Sequence, residues 1–135
     1  MKYRKLTSYK YQLYEPYNLN LPAEFSGQMA NLSHIILVNN LLHIKAGYAW
    51  NGATCAWDTK TFMKGSLEHD ALYQLMRQGE MTRELRIEAD RLLRHTCLGA
   101  GMSKFRADYV YNAVRLFAEG ASKNGIEHFD RIYEV

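Results

Sequence analysis

Hydrophobic and polar positions change their spacing about half-way along the chain, which predicts strands first and helices afterwards. The segment Tyr9–Tyr14 alternates in residue type and is rich in aromatics, which is typical of a strand. Two short apolar runs, His34–Val38 and Leu41–Lys45, flank the pair Asn39-Asn40, which tolerates the positive φ of a tight turn. We therefore expect a β-hairpin here, preceded by a loop over residues 15–33 that contains both prolines.

Three helices are predicted in the second half. Over residues 61–78 the apolar side chains cover most of a helical wheel, so this helix should be buried on several sides. Residues 83–98 have one apolar face, and residues 104–120 are amphipathic. On the apolar side of the third helix the wheel groups Phe105, Tyr109, Val110, Ala113, Val114, Leu116 and Phe117. It places Asp108, Asn112, Arg115 and Glu119 on the polar side. The predicted helix ends are Asp58, Thr82 and Ser103 as N-caps and Gly79 as a stop.

These elements predict one α+β domain over residues 1–135, a small antiparallel sheet followed by three helices. Residues 1–46 hold strands and a loop, 47–60 a loop rich in Gly and Trp, 61–120 the helical core and 121–135 a tail. The first two helices are expected to form an antiparallel hairpin.

Composition narrows the class of protein. Apolar residues make up 47% and charged residues 23%, which is ordinary for a globular protein with a real core. No run of apolar residues is long enough to span a membrane, and no apolar region follows the basic start, so neither a membrane span nor a signal peptide is expected. With only Cys55 and Cys97, we expect free thiols in a reducing cytoplasm. The net charge of +3 is mild and does not indicate a particular partner.

The candidate chemistry lies on the first two helices. His69 and Tyr73 are four residues apart, so they share one helix face, and that face is otherwise apolar. A histidine there needs a buried partner. Asp90 and His69 are almost equally far from the turn after Gly79, so an antiparallel hairpin brings them to the same height. We predict a His69–Asp90 hydrogen bond, which would fix the tautomer of the imidazole and leave its other nitrogen as a base.

The same pattern allows other interpretations. A buried His–Asp pair beside Tyr73 often does no more than join two helices. Asp90 could instead pair with Arg86 or Arg94, each four residues away. His69, Asp70, Asp90 and His95 do not have the spacing of a standard zinc site. The two cysteines favour apolar packing, and Trp50 and Trp57 favour core anchors or a pocket wall. Arg77, Arg83, Arg86, Arg91 and Arg94 indicate a solvated basic face more than a nucleic-acid surface.

A run of motifs carries a family resemblance. Gly47-Tyr48-Ala49-Trp50-Asn51-Gly52-Ala53-Thr54, Asp58-Thr59-Lys60, Phe62-Met63, Ser66–Arg77, Ala89-Asp90, Gly101-Met102-Ser103 and Tyr109–Phe117 follow in order. Together they resemble a domain family of unknown function found in tailed phages and prophages. The resemblance spans roughly residues 42–120. It implies a phage- or prophage-encoded protein, made in the host cytoplasm, that acts on the host envelope or joins the virion.

A second likeness concerns the chemistry. His69-Asp70-x-x-Tyr73 with Asp90 on the next helix resembles the core of phospholipases of the A2 class. The likeness implies His69 as the base that activates water, Asp90 as its orienting group and Tyr73 as a supporting hydrogen-bonder. It also implies Ca²⁺ or another divalent cation at Asp70, with backbone carbonyls of the loop 47–54, those of Trp50 and Gly52 among them. The sequence lacks the cysteines that flank these helices in the enzymes.

Two functional hypotheses follow. The first is a small hydrolase that uses the His69–Asp90 dyad, with or without a divalent metal, on an ester or amide of the host envelope. The second is a phage accessory or virion protein without catalysis, in which His69, Asp90 and Tyr73 only hold the helices and the N-terminal strands contact a partner. The sequence sets no oligomeric state.

Overall fold

The computed structural model of the chain describes residues 1–5, 11–52 and 59–123, and it confirms the α+β class. Short strands come first and three α-helices follow. The strands of the described part are β1 (Tyr3–Lys5), β2 (Tyr11–Leu13), β3 (Tyr17–Asn20), β4 (Ala30–Asn31), β5 (Ile35–Val38), β6 (Leu41–Ile44) and β7 (Ala49–Trp50). The helices are α1 (Lys60–Arg77), α2 (Arg86–Gly99) and α3 (Lys104–Phe117).

The strands make two antiparallel sheets, one in the order β3-β6-β5-β4 and one in the order β1-β2-β7. The predicted hairpin is the centre of the larger sheet, where β5 pairs with β6. Asn39 and Asn40 have φ angles of 50° and 62°, the left-handed conformation that a two-residue hairpin turn requires. The turn prediction is therefore confirmed.

The predicted loop over residues 15–33 is wrong in part, because it contains β3, β4 and a 3-10 turn at Ala23–Phe25. β3 pairs with β6 along its whole length, from Tyr17 opposite Ile44 to Asn20 opposite Leu41. The prolines bound this edge strand at both ends, a place where a missing N–H costs no ladder hydrogen bond. The pairing partner lies more than twenty residues away, and no local pattern shows it.

The Gly/Trp loop also differs from expectation, since Ala49–Trp50 forms β7 and pairs with β2. The N-cap residue of α1 is Thr59, not Asp58, and Asp58 itself lies outside the described residues. Gly79 and Ser103 agree with prediction, whereas Thr82 caps a 3-10 turn at Arg83–Leu85 and α2 itself begins later than expected, at Arg86. Gly79, with φ of 74°, follows α1, and Thr82 and Ser103 accept hydrogen bonds from backbone N–H groups two and three residues on.

Helix α1 lies between the sheets and α2, which explains its nearly all-round apolar pattern. Its buried residues join the strands in one core, in which Leu67, Leu72 and Leu75 are fully enclosed. A smaller apolar cluster joins α2 and α3 around Leu93 and Val110. α2 thus packs on α1 with one side and on α3 with another.

The predicted apolar face of α3 is too wide. Ala107, Val110, Ala113 and Val114 are buried, whereas Phe105, Tyr109, Leu116 and Phe117 are exposed. α3 packs along its length against α2, so the burial covers a narrow stripe. The helix ends at Phe117, earlier than expected, and a 3-10 turn at Glu119–Ser122 contacts α1. In the described part, no helix combines the length and apolarity required to cross a bilayer.

Candidate active site

His69 and Asp90 meet across the α1–α2 hairpin, as the sequence predicts. The Nε2 of His69 lies 2.7 Å from the Oδ1 of Asp90. Asp90 is fully buried and His69 is 7% exposed, so the pair is shielded from bulk water. Because α1 and α2 run antiparallel from the turn after Gly79, residues equidistant from the turn face each other at one height.

Tyr73 completes the predicted group. Its hydroxyl donates to the same Oδ1 of Asp90 at 2.6 Å. Its ring lies beside that of His69, with centroids 4.1 Å apart and planes 34° apart, as expected for side chains one helical turn apart. The imidazole is therefore held by a hydrogen bond at one edge and by an aromatic ring over its face.

Two arginines donate hydrogen bonds to the His69–Asp90–Tyr73 group, Arg86 from α2 and Arg115 from α3. The Nη1 of Arg115 donates to the Oδ2 of Asp90 at 2.8 Å. The Nε of Arg86 donates to the hydroxyl of Tyr73 at 3.0 Å, and its Nη2 donates to the carbonyls of Val114 and Arg115 at 3.0 and 2.8 Å. Those carbonyls belong to the last turn of α3, and that of Val114 also accepts from the backbone N–H of Ala118 at 3.0 Å. Arg86 thus connects the end of α3 to the dyad.

The electrostatics favour an ionised Asp90. Burial alone would raise the pKa of Asp90, but hydrogen bonds from His69, Tyr73 and Arg115 and the charge of His69 hold it below its usual value. The hydrogen bond to Asp90 raises the pKa of Arg115. Burial and the bond to Asp90 raise the pKa of Tyr73, so its hydroxyl stays protonated as a donor. The carboxylate can therefore stabilise a positive charge on His69.

His69 lines a cavity of about 420 Å³, which is within the usual size of a small-molecule site, and Asp90 lies buried behind it. One wall comes from α1 and includes His69, Asp70, Tyr73 and Gln74. Side chains and small residues of α3 and the turn after it form an apolar wall: Val110, Ala113, Val114, Phe117, Ala118 and Ala121. β7 and the residues next to it supply Trp50, Asn51 and Gly52. Within the described residues, the Nδ1 of His69 has no hydrogen-bond partner, so this nitrogen can serve a molecule in the cavity.

The residues expected to hold a cation line the same cavity. Asp70, Trp50 and Gly52 all face it. Carboxylate and carbonyl oxygens are the ligands that Ca²⁺ prefers, but Ca²⁺ takes six to eight of them. In the described ranges no group of three or more His, Cys, Asp or Glu side chains could hold a metal ion. These residues offer oxygen donors of the right chemistry but fewer than a complete Ca²⁺ shell.

Four other candidates that the structure describes form no side-chain hydrogen bond with the His69–Asp90 pair: His95, Arg94, Trp50 and Cys97. His95 is exposed on α2 and does not line the cavity. Arg94 pairs with Asp108 at 2.6 Å rather than with Asp90. Trp50 is a core anchor that also borders the cavity, and its Nε1 donates to the Oγ of Ser66 at 3.0 Å. Cys97 is buried, and burial raises the pKa of its thiol to about 12, so it is apolar filler. Cys55 and Trp57 lie outside the described residues.

Sequence reasoning missed two parts of the site. It placed Arg115 on the polar side of α3 and treated Arg86 as a surface residue or a partner of Asp90. A signal was present for Arg115, because it lies within the motif Tyr109–Phe117. Outside the site, sequence reasoning also passed over Glu68, which is 1% exposed and accepts hydrogen bonds from Tyr17 and Thr96 at 2.5 and 2.6 Å.

Comparison of the chain with models of known protein families, with curated proteins and with solved structures found no match. The phage-family and phospholipase likenesses therefore stay resemblances between motifs. The assignment of a function depends on the geometry around His69.

Proposed function

We propose that this protein is a small hydrolase in which His69 is the general base. One observation carries the proposal: the Nε2 of His69 binds an aspartate held ionised, while the same side chain lines a cavity large enough for a small substrate. A base needs a fixed tautomer, a nearby negative charge and access to the reacting water. Asp90 supplies the first two, and the cavity supplies the third.

The proposed reaction is the hydrolysis of an ester or an amide. A water molecule between Nδ1 of His69 and the substrate gives its proton to Nδ1 while its oxygen forms a bond to the carbonyl carbon. Asp90 stabilises the resulting imidazolium. The proton then passes from Nδ1 to the leaving oxygen or nitrogen as the bond from carbon to that atom breaks. Asn51 and Gln74 place amide groups in the cavity wall, and such groups can bind the oxyanion that develops.

The substrate is proposed to have a polar scissile bond and an apolar part. The bond would lie against the polar α1 wall, and the apolar part against Val110, Val114 and Phe117. Its origin in the host envelope is inferred from the phage-family resemblance. A divalent cation at Asp70 would add a Lewis acid beside the carbonyl, and the role of His69 does not depend on it.

The number of hydrogen bonds to Asp90 favours a second candidate function, in which this residue is only structural. This carboxylate has no exposed surface, and it accepts hydrogen bonds from α1 and α3 at three points. A group built only to join three helices would have the same contacts. On this hypothesis the protein is a phage accessory or virion component, and its strands contact a partner.

Turnover of a panel of esters, lipids and peptidoglycan fragments by the wild type and by His69→Gln decides between these functions. His95→Gln is the matched control, because His95 is exposed on α2. The hydrolase proposal expects His69→Gln to remain folded and to lose roughly 10²–10⁴-fold in rate, while His95→Gln keeps the wild-type rate. It is overturned if the wild type hydrolyses nothing in the panel, or if His69→Gln keeps its rate.

The proposed binding of a divalent cation at Asp70 is tested separately from the role of His69. Calorimetric titration with Ca²⁺ should give binding to the wild type that Asp70→Asn weakens, with Glu80→Gln as the control on an exposed turn. Equal affinity in the wild type and Asp70→Asn would remove the cation from Asp70 and leave the proposed role of His69 intact.

A further inference from the structure

One face of α3 is apolar and exposed along the whole helix. Phe105, Tyr109 and Leu116 are 83%, 56% and 74% exposed, and the exposed Asn112 lies between the last two. Successive members are four, three and four residues apart, which puts all four side chains on one line along the helix. We call these four residues the α3 stripe. A monomer seldom leaves large apolar side chains in such a continuous row.

The spacing of the four positions in the α3 stripe is symmetric about its centre. The centre lies midway between Tyr109 and Asn112, and Phe105 and Leu116 are equally far from it. If a second copy of α3 lies antiparallel across the stripe, Phe105 meets Leu116 of that copy and Tyr109 meets Asn112. Each large apolar side chain then finds an apolar partner, and the phenol meets an amide. A two-fold axis requires this self-complementarity.

The charged side chains beside the α3 stripe are engaged in ion pairs of their own. Along one border, Lys104 and Asp108 pair with each other at 2.9 Å, and Asp108 also binds Arg94 at 2.6 Å. Arg115, on α3 as well, is bound to Asp90. The stripe itself contains no carboxylate and no cation. Lys104 and Arg94 share the single carboxylate of Asp108, so this border keeps a net charge of +1, and a second copy meets a stripe with no charged side chain of its own.

The area is sufficient for a weak dimer. Aromatic side chains bury about 150–250 Å² each when fully covered. Phe105, Tyr109 and Leu116 can together cover roughly 400 Å² on each copy. Two copies reach about 800 Å², the size of a weak and transient contact. We infer that the protein forms a two-fold symmetric, concentration-dependent dimer through antiparallel pairing of the α3 stripe.

Sedimentation of the full chain over a wide concentration range tests the dimer. The wild-type mass should rise from 15.7 kDa toward twice that value as the concentration increases. Leu116→Glu should weaken association at least about tenfold, because a charge then enters the apolar contact. Met29→Glu is the control, since Met29 is 67% exposed in the loop before β4, outside the stripe. It should sediment as the wild type does.

Charge exchange tests the antiparallel arrangement. Phe105→Lys and Leu116→Glu should each be monomeric alone, yet form a one-to-one heterodimer when mixed. In that heterodimer the introduced lysine meets the introduced glutamate, while the native Phe–Leu pair is kept at the other end. A wild type that stays monomeric at every concentration overturns the proposal, as does a dimer that Leu116→Glu leaves unchanged. A partner or another part of the chain would then be the occupant of the stripe.

Discussion

The Nη1 of Arg115 lies 2.8 Å from the Oδ2 of Asp90, so α3 binds the carboxylate that orients His69. The histidine lies on α1, the aspartate on α2 and the arginine on α3. The geometry of the dyad therefore depends on all three helices at once. The stability of the fold and the chemistry of His69 consequently depend on the same few residues.

Substitution of Arg115 should lower the free energy of unfolding more than substitution of a surface arginine does. Arg115→Met leaves Asp90 buried with one cationic partner fewer, so we expect the free energy of unfolding to fall by about 1–3 kcal/mol. The control is Arg91→Met, which breaks the exposed Arg91–Glu88 pair and should cost less than about 1 kcal/mol. Urea denaturation measures both. Equal losses would show that the Arg115–Asp90 contact adds no specific stability.

Asp90 should stabilise the fold at neutral pH and lose that effect in acid. Its pKa is lowered in the folded state, so its contribution is complete above the unfolded pKa of about 3.9 and disappears as the pH falls through the folded pKa. Asp90→Asn should therefore be less stable than the wild type near neutral pH, and the difference should shrink below about pH 4. A difference in unfolding free energy that does not change with pH would contradict this.

Glu68 should behave with the opposite sign. Burial raises its pKa, and the hydrogen bonds from Thr96 and Tyr17 only partly oppose this. Its contribution is then favourable below the unfolded pKa of about 4.3 and is lost as the pH rises through the folded pKa. Glu68→Gln keeps the size and removes the charge, and one of the two hydroxyls, that of Tyr17 or of Thr96, then accepts from the amide NH2 instead of donating to an oxygen. We expect a midpoint of thermal unfolding a few degrees above that of the wild type near neutral pH, and no gain in acid.

Helix packing makes a separate prediction at two glycines. A Cβ at Gly65 of α1 would lie 2.9 Å from both the Sγ of Cys97 and the Cδ1 of Leu93, so α1 and α2 touch there. Gly65→Ala should destabilise the protein by about 1–3 kcal/mol through overpacking. Gly99→Ala, with nothing within 4 Å of its Cβ, should be neutral or stabilising by up to about 1 kcal/mol. Denaturation curves in which both variants behave alike would contradict the close contact.

Local patterns predicted the parts of the fold that depend on neighbours in sequence. The Asn39-Asn40 turn follows from the local sequence of the β5–β6 hairpin. The Gly79 stop and the His69–Asp90 pair follow from the spacing of residues in the α1–α2 hairpin. β3 was missed because its partner β6 lies far along the chain. The exposed side of α3 was missed because a helical wheel does not show how many neighbours a helix has.

Arg115 was missed for a related reason. Its ion pair joins α3 to α2, and a wheel that classes arginine as polar assigns it to solvent. The long arginine side chain can instead reach from the edge of a helix to a buried carboxylate. Only the spatial arrangement of three helices shows that Asp90 needs this cation.

The central claim is that Asp90 binds the proton on Nε2 of His69 and leaves Nδ1 unprotonated toward the cavity. Nitrogen-15 NMR of the histidine rings measures this directly, with His95→Gln and His69→Gln to assign the signals. In the neutral ring of the wild type we predict the proton on Nε2, and a shift toward a mixture of tautomers in Asp90→Asn. A neutral His69 that carries its proton on Nδ1, or a tautomer that Asp90→Asn does not change, would contradict the claim and with it the role of His69 as a base.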